Sequence, residues 1–179
     1  TILDRSNEAL ESIDAQFGGR VKTLYSSKTT LAAALTTADL VIGAVLIPGA
    51  AAPKLVTREM LKTMQMGAVL VDVAIDQGGC FETSHATTHA DTIYIEEGIV
   101  HYCVANMPGA VARTSTYALN NATLPHLLEL ADKGVKQALL DDPHLLAGLN
   151  VAHSQVTCKP VADVQGLAYL PALEAAQAL

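Results

Sequence analysis

The sequence has no tryptophan, two phenylalanines and only 4% aromatic residues. A core built around large rings is excluded. It must come from Leu, Val, Ile and Ala, a mixture suited to close helix–sheet packing. Cysteine is scarce: Cys80, Cys103 and Cys158 are far apart, odd in number and include no CxxC pair. That argues against a disulfide scaffold or a thiolate zinc site and points to reduced thiols in the cytoplasm. Long apolar runs are absent. None approaches the roughly 18 residues needed to span a bilayer, and Leu40 to Pro48 and Ala68 to Val71 have strand length. The first residues lack a basic stretch followed by a hydrophobic one, so no signal peptide is expected. Positive charge is in deficit, with 11 Lys and Arg against 18 Asp and Glu for a net charge of −7. Nothing here would neutralise phosphates in quantity, so neither a nucleic acid nor an anionic membrane surface is the expected partner. The phosphate-binding pattern GxGxxG occurs nowhere in the chain.

What is present is a chain of 179 residues, half of them hydrophobic. At about 150 residues per domain this is one domain, or one domain with part of a second. Thr1-Ile2-Leu3 reads as the end of a buried strand closed by Asp4. Ser6 can cap a helix whose apolar face is Leu10, Ile13 and Phe17, ended by Gly18-Gly19. Val21 to Tyr25 is a short strand, and Ser26-Ser27 precede a helix with Leu31 and Leu35 inward. Leu40 to Val45 is a continuous apolar run, as for a strand buried on both faces. Ile47 to Pro53 is a loop, and Thr57 caps a short helix through Met64. Ala68 to Val73 is the next buried strand, ending in the polar turn Ala74-Ile75-Asp76-Gln77-Gly78-Gly79. Ile93 to Ile95 and Ile99 to Val104 are short strands. This alternation predicts an α/β fold: a partial Rossmann-type parallel sheet with flanking helices. Near residues 107 to 114 the pattern turns helical, with Thr114 to Lys133 interrupted at Pro125. The expected domains are therefore residues 1–110 and 111–179.

Ligands of such sheets bind outside the carboxyl ends of the strands. Asp4 falls there, where an acidic residue ending the second strand would bond adenosine ribose hydroxyls. The companion GxGxxG would stand about 20 residues earlier, before Thr1. Either the chain enters that fold part-way, or Asp4 is an ordinary helix-start residue favoured by the macrodipole. Asp76 follows a buried strand beside two glycines that let a ligand approach the backbone. Its carboxylate can hold a cationic nitrogen or relay a proton, or it can simply form a turn. His85 and His89 have metal-ligand spacing if helical, but no HExxH acid accompanies them, so they read as solvent-facing and no metal is expected. Cys80 has no positioned base and reads as a small packed residue. Tyr117, Leu119 and Leu124 read as packing residues on a helix.

Three stretches taken together are more specific: Ala38 to Ala50 (ADLVIGAVLIPGA), Gly67 to Glu82 with Val71-Asp72-Val73-Ala74-Ile75-Asp76-Gln77-Gly78-Gly79, and Tyr102 to Gly109 followed by Thr114 to Leu119. They resemble the family of bacterial L-alanine dehydrogenases and proton-translocating transhydrogenase α subunits, over nearly the whole chain and more loosely after about Leu149. Family proteins are roughly twice this length, so the resemblance implies a carboxyl-terminal half, lacking the first strand and GxGxxG turn, with residues 111–179 joining the substrate domain. It implies NAD as cofactor, with Asp4 at the adenosine ribose and Ser26 on the adenine side. Val45 and Leu46 line the cofactor through their backbone. Val73, Ala74, Ile75 and Asp76 form the nicotinamide-side loop, with Asp76 as the catalytic aspartate. Val104, Ala105, Asn106 and Met107 form another lining loop, and a basic cofactor contact of some members falls on His85. The implied reaction is reversible oxidative deamination of L-alanine to pyruvate and ammonium, in a cytoplasmic homo-hexamer. The other catalytic group, a histidine, and the Arg and Lys that hold the substrate carboxylate belong to the amino-terminal half, so this chain by itself is expected to be inactive.

Two other readings stay open. A transhydrogenase α-subunit piece would move hydride between two nicotinamides, although the Asp-Gln-Gly-Gly match and the lack of apolar spans favour the dehydrogenase. A non-catalytic structural or oligomerisation module is the second, since part of the sheet and the carboxylate clamp are not in these residues. The upstream reading frame discriminates: a GxGxxG and a His-bearing basic domain there would make this part of an enzyme.

Overall fold

A computed structural model describes residues 1–47 and 49–179; Pro48, within the loop read over Ile47 to Pro53, lies outside the described residues. The chain divides into two compact units, Thr1–Leu46 with Ala51–Met107, and Ile47–Ala50 with Pro108–Leu179.

The first unit holds two sheets. Strands β1 (Ile2–Asp4) and β2 (Thr23–Tyr25) pair in parallel through helix α1 (Asn7–Phe17). Ser6 caps α1 by accepting from Ala9 N, and Gly18 ends it at φ 56°, as its sequence signals require. Helix α2 (Lys28–Leu35) starts in a reciprocal capping box between Ser27 and Thr30. Strands β3 (Leu40–Gly43), β4 (Val69–Asp72), β5 (Ile93–Glu96) and β6 (Ile99–Tyr102) form a sheet in the order β3-β4-β6-β5. β3, β4 and β6 are parallel, and β5 closes the edge as an antiparallel hairpin with β6. Short helix α3 (Arg58–Leu61), capped by Thr57, ends earlier than the Met64 its pattern suggests.

One face of this four-stranded sheet is packed and the other is open. Leu70, Asp72, Ile99 and His101 are fully buried on the packed face, against a core containing Leu35, Val56, Leu61 and Phe81. Strand register places Leu40, Val69, Val100 and Ile95 in one row of the opposite face, and Ile42, Val71, Tyr102 and Ile93 in the next. Cross-strand partners share a face. Leu40 is 56% exposed, Ile42 61% and Ile95 69%. The expectation of a β3 buried on both faces is therefore corrected: its apolar run has two faces, and Leu40 and Ile42 lie on the exposed one. Ile2 in β1 is likewise exposed.

The second unit is helical: α4 (Ala112–Lys133), α5 (Val135–Asp141), α6 (Pro143–Ala147), α7 (Lys159–Gln165) and α8 (Ala172–Ala178), with a small hairpin of β7 (Val151–Ala152) and β8 (Gln155–Val156). Helix α4 runs through Pro125 without interruption. The carbonyl that Pro125 leaves unbonded belongs to Asn121, which is exposed, so water can satisfy it. No described residue of α4 is buried. Tyr117, Leu119 and Leu124 are exposed rather than packed as their pattern suggested.

At Gly43 the core leaves no room for a side chain. A Cβ there would stand 2.3 Å from Cys80 Sγ and 2.7 Å from Phe81 Cζ, both buried. Gly43→Ala is expected to cost about 1–3 kcal/mol by overpacking. In urea unfolding of the full-length protein this appears as a lower midpoint with an unchanged slope; an unshifted midpoint would show that the Phe81 segment yields freely.

Candidate functional site

The parallel strands carry the candidate residues to their carboxyl ends, in two groups. At the β1–β2 edge, Asp4 pairs in register with Tyr25, and Ser26 N donates to Asp4 O at 2.8 Å. Asp4 and Ser26 are thus neighbours through the backbone. Asp4 Oδ1 accepts from Ser6 N at 2.7 Å, and the carboxylate is exposed. The helix-start role and a ligand role are compatible, because one oxygen serves each.

The second group gathers where β3, β4 and β6 end. Gly43 pairs with Asp72 and Val71 with Tyr102, so the three following segments leave the sheet side by side. After β3, Val45 packs on the core while Leu46 is 68% exposed. After β4, Val73–Gln77 forms a 3-10 turn with Ala74 and Ile75 buried and Val73 and Asp76 exposed. After β6, Val104 is fully buried, Asn106 stands at φ 58°, and Met107 opens another 3-10 turn. Two surface hollows, one lined by Leu10, Glu11 and Asp14 and one by His126 and His144, contain none of these residues. The site is an open ledge rather than an enclosed pocket.

Several supports were not singled out in the sequence. Asp72, in the middle of the quoted motif, is fully buried. Its carboxylate accepts from Ala74 N at 3.1 Å, Cys80 N at 2.8 Å and the Ser84 hydroxyl at 2.5 Å. Lys54 Nζ donates to Gly78 O and Gly79 O at 2.5 and 2.9 Å, clamping the far side of the same turn. Gln77 Oε1 is buried without a hydrogen-bond partner among the described residues. An Asp directly after an apolar strand, followed by a Gly-Gly return, was the available signal for Asp72; nothing in the sequence linked Lys54 to the turn.

The segment holding His85 and His89 is not helical, so the metal-ligand spacing of a helix does not apply, and both residues are exposed. His85 stacks on Tyr94, with ring centroids 3.7 Å apart. His89 Nε2 donates to Asn106 O at 2.9 Å and so holds the left-handed residue of the β6 loop. Behind them, Thr83 Oγ1 donates to His101 Nε2 at 2.7 Å while Nδ1 donates to Ile99 O at 2.9 Å. Burial lowers the pKa of His101 and keeps that ring neutral. Burial, followed by the nearby Asp72 carboxylate, pushes the Cys80 thiol up to about 12. It is a packed thiol, not an activated nucleophile.

A family profile described as "Alanine dehydrogenase/PNT, C-terminal domain" matches residues 1–159. The alanine dehydrogenase of Halomonas elongata is 60% identical over 172 residues, covering 96% of this chain and 46% of that protein. Among solved structures, an L-alanine dehydrogenase matches with a TM-score of 0.80 and 47% identity, over 92% of this chain and 45% of that one. A transhydrogenase from Sinorhizobium meliloti matches with a TM-score of 0.62 and 33% identity, over 75% of this chain and 37% of that one. The chain spans about half the length of the curated relatives it matches.

The cysteines give a direct check of the site's interior. With its pKa near 12, about one Cys80 thiol in 10⁴ is ionised at pH 8, and Cys103 is also buried with its pKa raised by desolvation. Half-buried Cys158 is expected to be alkylated by iodoacetamide while Cys80 and Cys103 resist until guanidinium is added. Peptide mapping by mass spectrometry reads this; labelling of Cys80 at the rate of Cys158 would contradict the packing described.

Proposed function

The chain belongs to the alanine dehydrogenase/PNT family, and from that we propose that it is the cofactor-binding, carboxyl-terminal part of an NAD-dependent alanine dehydrogenase. The whole enzyme converts L-alanine reversibly to pyruvate and ammonium. The observation that carries this reading is the 60% identity to an alanine dehydrogenase across the strand ends just described. The closer fit to the dehydrogenase structure than to the transhydrogenase favours it over hydride exchange between two nicotinamides.

The residues present fit a dinucleotide along the strand ends. Asp4 keeps a carboxylate oxygen free for the adenosine ribose hydroxyls, next to Ser26. The turns at Val45-Leu46, Val73–Asp76 and Val104–Met107 would line the nicotinamide side. Gln77 Oε1 is a buried acceptor beside that ledge which a bound donor group can fill. In this reading the upstream half supplies the GxGxxG strand, which would pair with the free edges of β1 and β3, together with the substrate-carboxylate clamp and a second catalytic group. Apolar side chains exposed on α4 suit burial in a homo-hexamer, and free cysteines suit the cytoplasm.

When bound, NAD⁺ accepts the α-hydrogen of alanine as hydride. This chain's part is positioning and charge. Asp76 holds its carboxylate toward the cation that develops at the substrate nitrogen. It then orients the water that attacks the imine carbon and takes a proton from it. The exposed turn gives the carboxylate access, and the buried Ala74 and Ile75 anchor it.

The full-length protein is expected to form NADH on addition of L-alanine, and to favour NAD⁺ over NADP⁺ in kcat/KM because Asp4 repels a 2′-phosphate. Absorbance at 340 nm decides both; no alanine-dependent signal would sink the reading, and equal kcat/KM values would remove Asp4 from the ribose. Asp76→Asn preserves the turn and removes the charge, so kcat and kcat/KM should fall together by about 10² to 10⁴-fold with NADH affinity retained. Near-normal kcat would make Asp76 a turn residue only.

A further inference from the structure

We infer that Asp72 is the positioning residue for Asp76: its buried carboxylate staples both legs of the turn and thereby sets where the Asp76 carboxylate stands. This rests on the catalytic reading of Asp76 given above.

Among the described residues, the Asp76 side chain takes no hydrogen bond, and it is exposed. Its location is therefore set by the backbone of Val73–Gln77 alone. That backbone is a 3-10 turn, whose hydrogen bonds are poorer in geometry than α-helical ones. It has also left the sheet, since Gly43–Asp72 and Val71–Tyr102 are the last register pairs. Something else must fix it.

Asp72 does so from inside. Oδ1 accepts from Ala74 N at 3.1 Å, on the entry leg. Oδ2 accepts from Cys80 N at 2.8 Å and Phe81 N at 3.4 Å, on the exit leg. Ser84 Oγ donates to the same oxygen at 2.5 Å. The ties from outside reach only the exit: Ala52 N donates to Gln77 O at 2.9 Å, and Lys54 holds Gly78 and Gly79. Within the turn, Gly78 N donates to Ile75 O and Gly79 N to Ala74 O, at 3.0 Å each; among the described side chains that bond to it, Asp72 is the one that reaches both legs.

Gly79 belongs to the same arrangement. A Cβ on Gly79 would lie 2.7 Å from Asp72 Oδ2 and 2.7 Å from Ser84 Cβ, and its φ is +76°. The second glycine of the motif thus makes room for the carboxylate rather than for a ligand. Every polar neighbour of Asp72 is a donor, the Cys80 thiol at 3.5 Å included. Only a carboxylate satisfies them all. An amide of the same shape would turn an N–H toward one of these donors and release one leg.

The experiment measures kcat, the KM for alanine and NADH affinity in the full-length protein for Asp72→Asn, Asp76→Asn and the double variant. A misplacement of about 1 Å costs about 10²-fold in rate, so Asp72→Asn is expected to lower kcat about 10- to 100-fold, with NADH affinity held by Asp4 and Ser26. In the Asp76→Asn background the same change should cost less than about threefold, because residues acting through one another are not additive. Equal losses in both backgrounds mean a general structural role and overturn the inference. So does a normal kcat for Asp72→Asn when Asp76→Asn is impaired. A normal Asp76→Asn overturns the catalytic reading itself, and this inference with it. If Asp72→Asn does not fold, Ser84→Ala removes one donor and keeps the carboxylate. It is expected to lower kcat about threefold to tenfold, again only when Asp76 is intact; an unchanged kcat overturns the inference.

Discussion

The carboxylate of Asp72 lies where no water reaches it, and no cation pairs with it among the described residues. Burying such a group costs heavily unless its lone pairs are filled. Here they are filled by backbone N–H groups from both sides of one turn, by the Ser84 hydroxyl and by the Cys80 thiol. That requirement orders much of its surroundings. Gly79 must lack a side chain, Cys80 must be inside, and Phe81 is drawn down onto Gly43. The raised pKa of Cys80 is a consequence of the same burial. Ordering a polar network inside the core in this way leaves the neighbouring Asp76 free and solvent-facing.

The open sheet face expresses a different constraint. Two rows of residues, from Leu40 and Ile42 across to Ile95 and Ile93, lie on the face opposite the core, exposed at both ends and partly buried between. Parallel sheets are normally covered on both faces. Among the described residues, β1 and β3 are edge strands of their sheets. The chain covers 46% of the length of its Halomonas elongata relative, and the packed face is completed by its own residues.

The candidate site follows from this layout. Parallel strands deliver their loops to one edge, so segments far apart in sequence, after Gly43, Asp72 and Tyr102, emerge together. The hydrogen bond from His89 to the Asn106 carbonyl and the clamp from Lys54 are further examples of distant residues supporting such loops. Family membership supplies the chemistry these loops are proposed to serve, and the hydrogen bonds of Asp72, Lys54 and His89 support the loops after β4 and β6.

Much of this was legible in the residues. Caps at Ser6, Ser27 and Thr57 worked as local signals because a hydroxyl needs only the next turn of backbone to act. The parallel α/β class followed from the alternation of strands and helices, whereas the strand order and the antiparallel β5 edge did not. The helix read through Met64 ends at Leu61 because the chain goes on in tighter turns, Thr63 N to Met60 O and Met64 N to Leu61 O, and Pro125 breaks nothing because the carbonyl it frees is exposed. The sequence by itself determined the parallel α/β class, the strand ends that carry Asp4 and Asp76, and the family. Only the tertiary structure decided that Leu40 and Ile42 face outward, that Gly79 makes way for Asp72, and that the Asp72 carboxylate joins both legs of the turn. The physical reason is that these depend on which groups meet across seven or more residues, and a buried donor and acceptor find each other in space rather than in order.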